Sequence, residues 1–405
     1  MTEPTTSTYS DLSISLTAAL NKNDKKNEGI YFTPPATIKK IFGFLQPYMS
    51  NIHDILEPSC GSCEFIKMLN STFTNKNITG VEYNKTIFDA ISDISCENIK
   101  IINGDFLNFT NPQTYNLIIG NPPYFVMKKN EVDSNYYDYF EGRPNIFVLF
   151  IINSLKMLSD NGILCFVLPT SFLNSSYYNN TRKFILENFK ILNILPCSDD
   201  YIETKQETIV FIVQKNQDLQ SNKLFSINKN SHIIFGEKSN IVTLNSLFQD
   251  SVSLNDKHFK VSVGKVVWNQ CKEILTEDVS QTLLVYSSDI KNNNLEIQSY
   301  RNPEKKNYIN KAGLCKPILV VNRGYGNAKY SFSYCLIDGS KEYLIENHLI
   351  CINYTKDISN ENLIKLYEKI ITSLQNEKTK QFIDIYFGNN AINTTELNYI
   401  LPIYS

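Results

Sequence analysis

Tyr115-Asn116-Leu117-Ile118-Ile119-Gly120-Asn121-Pro122-Pro123-Tyr124 is the stretch on which the fold turns. Its first six residues form an apolar run that reads as a buried strand. An Asn at the carboxyl end of a parallel strand points into the crevice where α/β folds bind ligands. Pro122 and Pro123 fix the backbone and remove two N–H donors, leaving the local carbonyls as pure acceptors. Tyr124 adds a flat apolar ring beside them. Two acceptors and one aromatic face suit a planar group bearing an NH2, such as the edge of adenine or the amide of glutamine. Asn and Pro are also common turn formers, so an ordinary turn would use the same four residues.

Outward from this stretch, short apolar runs alternate with helical ones. Expected strands are Asp54 to Glu57, Ile78 to Glu82, Ile99 to Ile102, Asn116 to Ile119, Ile163 to Leu168, Ile191 to Leu195 and Thr208 to Val213. Expected helices are Glu64 to Leu69, Lys85 to Ile91, Ile146 to Leu158 and Thr181 to Asn188, the third closed by Gly162 just beyond it. This alternation argues for a mostly parallel sheet with helices on both faces. Residues 1–29 begin with a Thr-, Ser-, Asn- and Lys-rich stretch and read as a mobile tail. Residues 30–250 then form the first domain and residues 251–405 a second α/β domain. In the second, strands fall near Ile318 to Val321 and Leu349 to Ile352, and a helix near Glu361 to Gln375.

The 405 residues suffice for two domains, and 42% apolar with 20% charged residues is the composition of a globular protein. No run of eighteen apolar residues is present, so no membrane span is expected. Nine irregularly spaced cysteines fit reduced thiols in a cytoplasmic compartment, of a bacterial or a virus-infected host cell. Net charge is −2, which gives no global signal for nucleic acid. Between Lys257 and Lys341, however, thirteen Lys or Arg stand against seven Asp or Glu. That local excess suits phosphate contacts, and equally a solvated surface.

Chemistry-bearing residues recur at the ends of the expected strands. Glu57-Pro58-Ser59-Cys60-Gly61-Ser62-Cys63 is a tight turn of small residues that lets backbone N–H groups approach a ligand. Glu82 ends the next strand, where a carboxylate can take both hydroxyls of a ribose. Asp105-Phe106 ends the third, placing an acceptor for an exocyclic amine beside a ring that can stack on a purine. In order, these describe a nucleoside site beside Asn121. Cys60-x-x-Cys63 also has redox spacing, but no second Cys pair or nearby His supports a metal site.

With these motifs the chain resembles the S-adenosylmethionine-dependent N6-adenine DNA methyltransferases, in the subgroup whose cofactor motifs precede Asn-Pro-Pro-Tyr. Tyr31-Phe32-Thr33-Pro34-Pro35 is similar to its motif over the methionine part of the cofactor. Glu57-Pro58-x-Cys60-Gly61 resembles its cofactor loop, Glu82 its ribose-binding acid and Asp105-Phe106 its adenine-binding pair. Leu168-Pro169-Thr170-Ser171-Phe172-Leu173 resembles a later strand-end motif. The likeness spans about Tyr31 to Lys215. The stretch from Phe387-Gly388-Asn389-Asn390 to Leu401-Pro402 resembles the close of a recognition domain more loosely. Cys63 stands where the family often has a second glycine.

The resemblance implies a Rossmann-like methyltransferase fold with a mixed, mostly parallel sheet, followed by a C-terminal α/β target-recognition domain. It implies S-adenosyl-L-methionine as cofactor, no metal, and double-stranded DNA as partner, with a separate cognate restriction endonuclease as a further one. Asn121 Oδ1 and the Pro122 carbonyl would accept the two N6 hydrogens, Tyr124 and Tyr201 would stack on a flipped base, and Phe150 would pack on the cofactor adenine. For Phe150, ordinary core packing serves equally. Arg323, in Arg323-Gly324-Tyr325-Gly326, would touch phosphate or a base, or form a structural turn. A protein glutamine methyltransferase or an RNA base methyltransferase would share Asn-Pro-Pro-Tyr, and a DNA-binding module with a dead site is a third reading. The intact Asn121, Tyr124, Glu82 and Asp105 argue against the last.

Overall fold

The computed structural model describes residues 9–197, 201–204, 206–323, 333–387 and 392–404. The chain divides into two compact units: residues 1–228 with 233–241, and residues 229–232 with 242–405.

The first unit is built on seven strands: β1 (Asp54–Glu57), β2 (Asn77–Glu82), β3 (Ile99–Asn103), β4 (Tyr115–Gly120), β5 (Leu158–Pro169), β6 (Lys190–Cys197) and β7 (Thr208–Gln214). Their order is β3-β2-β1-β4-β5-β7-β6. Strands β1 to β5 are mutually parallel, and β7 is antiparallel between β5 and β6. This is the mixed, mostly parallel sheet expected of a Rossmann-like methyltransferase. Among the described residues seven helices accompany it: α1 (Asp11–Ala19), α2 (Lys22–Glu28), α3 (Pro35–Leu45), α4 (Glu64–Thr72), α5 (Lys85–Ile91), α6 (Ile146–Met157) and α7 (Asn179–Asn188).

Strand residues alternate between two cores. Ile118, Leu164, Phe166 and Leu168 join the core on one face, while Leu117, Ile119, Ile163, Cys165 and Val167 join the other. A strand covered on both faces reads as a continuous apolar run, which is why β4 and β5 are visible in the sequence. Helix α6 buries Phe147 through Ile152 without interruption and so has no exposed apolar-polar boundary. The chain order reverses between β1 and β4, opening the crevice at their carboxyl ends.

Three expectations change. Residues 11–28 are two helices, not a mobile tail: Asn21 caps α2, Gly29 closes it at φ 66°, and Leu16 and Lys25 are buried. Helix α6 ends at Met157 and β5 starts at Leu158, so Gly162 lies inside the strand and caps no helix. It sits in a register shift between β4 and β5, where a Cβ would lie 2.8 Å from the carbonyl oxygens of both Ser159 and Tyr115. Helix α3 is an addition to the expected elements, although Pro35 at its first turn is a helix-start signal.

The second unit holds two four-stranded sheets. One joins Phe259–Val263, Leu349–Tyr354, Ile318–Asn322 and Ser333–Ile337, all antiparallel. The other joins Leu275–Thr276, Tyr308–Ile309, Thr282–Val285 and Tyr343–Ile345. Helices Asn360–Leu374 and Glu377–Tyr386 complete it. Trp268 packs on the cluster of Val266, Leu284, Tyr286 and Ile309. Gly324 to Gly326 and Gly388 to Asn390 lie outside the described residues. Among the described residues no helix is long and apolar enough to cross a membrane.

Candidate active site

The loops at the carboxyl ends of β1, β2, β3 and β4 surround a cavity of about 370 Å3 in the first unit. Gly61, Glu82, Asp105, Phe106, Asn121, Pro123, Tyr31 and Phe150 all line it. Thr33, Pro34, Glu57, Cys60, Pro122 and Tyr124 are not among its lining residues.

The β1 loop is held by the β2 acid. Glu82 Oε2 accepts from Gly61 N at 2.8 Å and its Oε1 accepts from Asn84 N at 2.8 Å. Burial raises the Glu82 carboxyl above its usual range, and the two backbone donors pull it back. Gly61 adopts φ 50°, and a Cβ there would meet the Phe32 ring at 3.3 Å. Cys63, in the place of the family's second glycine, adopts φ 61° and so takes the left-handed conformation at a steric cost. Glu57 is fully buried and its Oε2 has no hydrogen-bond partner. Burial first, then Cys63, Glu82 and Glu64, hold its carboxyl well above the usual carboxylate range. Asp105 accepts from Leu107 N at 2.9 Å and from Asn108 Nδ2 at 2.8 Å. The Phe106 and Phe150 rings lie 5.0 Å apart, walling the cavity beside it.

Asn121 has a defined orientation. Its Nδ2 donates to the Tyr31 carbonyl at 3.0 Å, which leaves Oδ1 as the acceptor. The Tyr124 hydroxyl lies 2.5 Å from that Oδ1 and 2.7 Å from the Val167 carbonyl, and its single hydrogen serves one of them at a time. Burial, with Tyr201 and Cys197 close by, pushes the Tyr124 phenol well above its ordinary range, so it remains a neutral donor. Its ring meets Phe147 edge-on at 6.0 Å.

Tyr201 is buried and borders a small second cavity with Lys25, Tyr31, Phe32 and Glu203. Its neighbours Asp199 and Asp200 lie outside the described residues. Arg323 is half-buried, directly after the strand Ile318–Asn322 of the second unit. In that unit Lys305 lies 4.1 Å and 3.9 Å from the Tyr286 and Tyr300 ring centres, and Lys306 pairs with Glu277. Part of the basic excess is therefore occupied within the unit. Among the described residues no group of three or more His, Cys, Asp or Glu is placed to hold a metal ion.

Residues 5–202 match the Eco57I restriction-modification methylase family. The chain is 26% identical over 415 aligned residues to the modification methylase CviBIII of Paramecium bursaria Chlorella virus NC1A, covering 98% of this chain and 99% of that one. It is 27% identical over 352 residues to the type II methyltransferase M.CvrRI of Paramecium bursaria Chlorella virus XZ-6E, covering 85% and 88%. Among solved structures, a cryo-EM structure of a DrdV–DNA complex is similar with a TM-score of 0.51 at 14% identity, over 92% of this chain and 54% of that chain. That likeness concerns the fold alone. The chain is thus similar, over nearly its whole length, to DNA modification methylases.

The cavity also has walls that the motifs do not reveal. Glu28, Tyr83, Asn84, Ile87, Phe125, Met127 and Ile146 line it. Asn84 is a junction: its Oδ1 caps α5 at Ile87 N, its backbone N–H reaches Glu82, and its Nδ2 donates to Glu28 Oε2 at 2.8 Å. The available signal for Glu28 is Asn21 followed eight residues later by Gly29, a helix start and stop around polar residues. The residues present fit the cofactor. Glu82 and Asp105 offer carboxylate oxygens, Phe106 and Phe150 offer an apolar slot, and no Lys or Arg is among the lining residues to repel its positive charge.

Proposed function

We propose that the protein methylates N6 of adenine at a fixed short sequence in double-stranded DNA. The carrying observation is the Asn121 amide, whose Nδ2 donates to the Tyr31 carbonyl so that Oδ1, met by the Tyr124 hydroxyl, is the acceptor. Adenine N6 is a poor nucleophile because its lone pair is delocalised into the ring. Asn121 Oδ1 and the Pro122 carbonyl accept its two hydrogens, favouring a pyramidal nitrogen whose lone pair is free. When bound, S-adenosylmethionine supplies the electrophilic methyl group. Asn121 and Pro122 align the amine for direct displacement of the thioether from the methyl group, with positioning and fixed dipoles lowering the barrier, and the methylated nitrogen then loses one proton to solvent.

A paired base cannot reach Asn121, so the adenine is flipped out. Unstacking costs a few kcal/mol, and each aromatic face returns about 1–3 kcal/mol. Tyr124 supplies one face and Tyr201 the other. The amine displaces the Tyr124 hydroxyl from Asn121 Oδ1, and that hydroxyl retains Val167 as its partner. Residues 251–405 read the surrounding sequence, Arg323 among them, since a single-base pocket cannot distinguish neighbours. A restriction-modification setting, with a separate endonuclease and a cytoplasmic location, follows from this reading. Nucleoside mass spectrometry of duplex DNA treated with protein and cofactor tests it. N6-methyladenine is expected, and methylcytosine as the sole product would overturn the proposal.

A further inference from the structure

Helix α2 touches two functional regions at once. At its carboxyl end, Glu28 borders the cofactor cavity, and Gly29 lies so close to the Asn-Pro-Pro-Tyr segment that a Cβ would come within 2.6 Å of Tyr124 N. One turn earlier Lys25 is buried, its side chain 7% exposed. Lys25 Nζ donates to the Thr17 carbonyl at 2.6 Å and pairs with Glu203 Oε1 at 2.7 Å. Glu203 lies two residues from Tyr201, and Lys25, Tyr201 and Glu203 border the same small cavity. A buried ammonium held by one carboxylate is sensitive to its partner, because removing that partner leaves a charge uncompensated. The strap that bears Glu28 and Gly29 and the loop that bears Tyr201 are therefore tied by the Lys25–Glu203 ion pair.

We infer that Lys25 and Glu203 are positioning residues for base capture: their ion pair fastens the Tyr201 loop to the helix bordering the cofactor cavity, coupling an ordered cofactor site to retention of the flipped adenine. This rests on the proposed adenine reaction. Through α2, order at Glu28 and Gly29 passes to Lys25, and through Glu203 to the loop. A loop released from Lys25 samples more conformations, and capture of the base then bears the cost of ordering it.

The test uses the full chain, with Glu203→Gln as the main variant, Glu203→Asp as the conservative one and Lys25→Met as a second break. Each is assayed by calorimetry with S-adenosylmethionine and by kinetics on two duplexes. One carries the methylation site mapped for the unaltered protein. The other has an abasic position opposite the target adenine, which lowers the cost of flipping. Glu203→Gln should bind cofactor within about twofold of the unaltered protein, yet show about a tenfold higher KM for the paired duplex. The abasic duplex should recover most of that loss, and Glu203→Asp should recover part. An unchanged KM on the paired duplex overturns the inference. So does an equal loss on both duplexes accompanied by weaker cofactor binding, which marks a purely structural pair. If the unaltered protein does not methylate adenine, the proposed function fails, and it fails separately.

Discussion

At the scale of single residues, Asn121 and Tyr124 should separate cleanly under mutation. Asn121→Ala removes the proposed acceptor for the reacting amine but leaves Glu82, Asp105, Phe106 and Phe150, the groups proposed to hold the cofactor, unaltered. Turnover should fall by about a hundred- to a thousandfold, as for loss of a hydrogen-bonding group acting on the transition state, with cofactor affinity largely intact. Stopped-flow transfer assays beside calorimetry would show this, and near-normal turnover would remove Asn121 from the chemistry. Tyr124→Phe keeps the ring and removes the hydroxyl that lies on Asn121 Oδ1, so most activity should remain. Tyr124→Ala loses the stacking face and should weaken capture by about 1–3 kcal/mol. Glu82→Ala should weaken cofactor binding by about 1.5–3 kcal/mol, the range for hydrogen bonds to charged groups. Its two backbone partners, Gly61 N and Asn84 N, would also lose their acceptor.

Glu57 makes a pH prediction. Burial holds its carboxyl well above the usual range, so the folded chain binds this proton more tightly than the unfolded chain does. Its contribution to stability is fully present below the unfolded value of about 4.3 and is lost as pH rises through the raised folded value. Glu57→Gln should therefore flatten the decline of stability between acidic and mildly alkaline pH. Urea unfolding at pH 5 and pH 8, on both proteins, measures this. Parallel declines would mean that Glu57 is ionised throughout.

At the scale of elements, the strands are legible in the sequence and the strap is not. β1, β2 and β4 carry runs buried on both faces, β3 at the sheet edge alternates with Lys100 exposed, and Glu57, Glu82 and Asp105 at or just after the ends of β1, β2 and β3 mark a nucleotide-type crevice. Helix α2 reads Lys-Asn-Asp-Lys-Lys-Asn-Glu, with no apolar period at all. Its caps, Asn21 and Gly29, are its only signals in the sequence, and the Lys25 ion pair that helps hold it is supplied by the folded chain alone. The start of β5 is hidden for another reason. Leu158 continues the apolar pattern of α6, and only its pairing with Tyr115 turns it into strand. Gly29→Ala tests the strap. An Ala at φ 66° costs about 1–2 kcal/mol in the left-handed region, and its Cβ would press on Tyr124 N at 2.6 Å. The variant should lose turnover more than thermal stability alone explains. A loss of stability with unchanged turnover would show that the strap does not set the Asn-Pro-Pro-Tyr segment.

At the scale of the whole molecule, the two units divide the proposed labour between chemistry and recognition. The second unit is legible only in outline. Its strands at Leu275–Thr276 and Tyr308–Ile309 have two residues each and show no period to read. The charge excess is visible in the sequence, but not how it is spent: Lys305 sits against two tyrosine rings and Lys306 against Glu277. Lys311 is exposed and Arg323 half-buried, so these two make the better probe of phosphate binding. Lys311→Ala with Arg323→Ala should weaken duplex binding and reduce its salt slope by about 0.9 for each phosphate that is no longer neutralised. Cofactor affinity should be unchanged. An unaltered salt slope would assign phosphate binding to other residues.

The central claim is site-specific transfer to adenine N6, and one measurement addresses it most directly. Unmethylated genomic DNA is incubated with the full-length protein and S-adenosylmethionine, then sequenced by a method that reports modified bases at single-nucleotide resolution. The account predicts N6-methyladenine at one position of a single short sequence, and none in a parallel reaction with Asn121→Ala. Methylation of cytosine only, or adenine methylation without sequence preference, would contradict it.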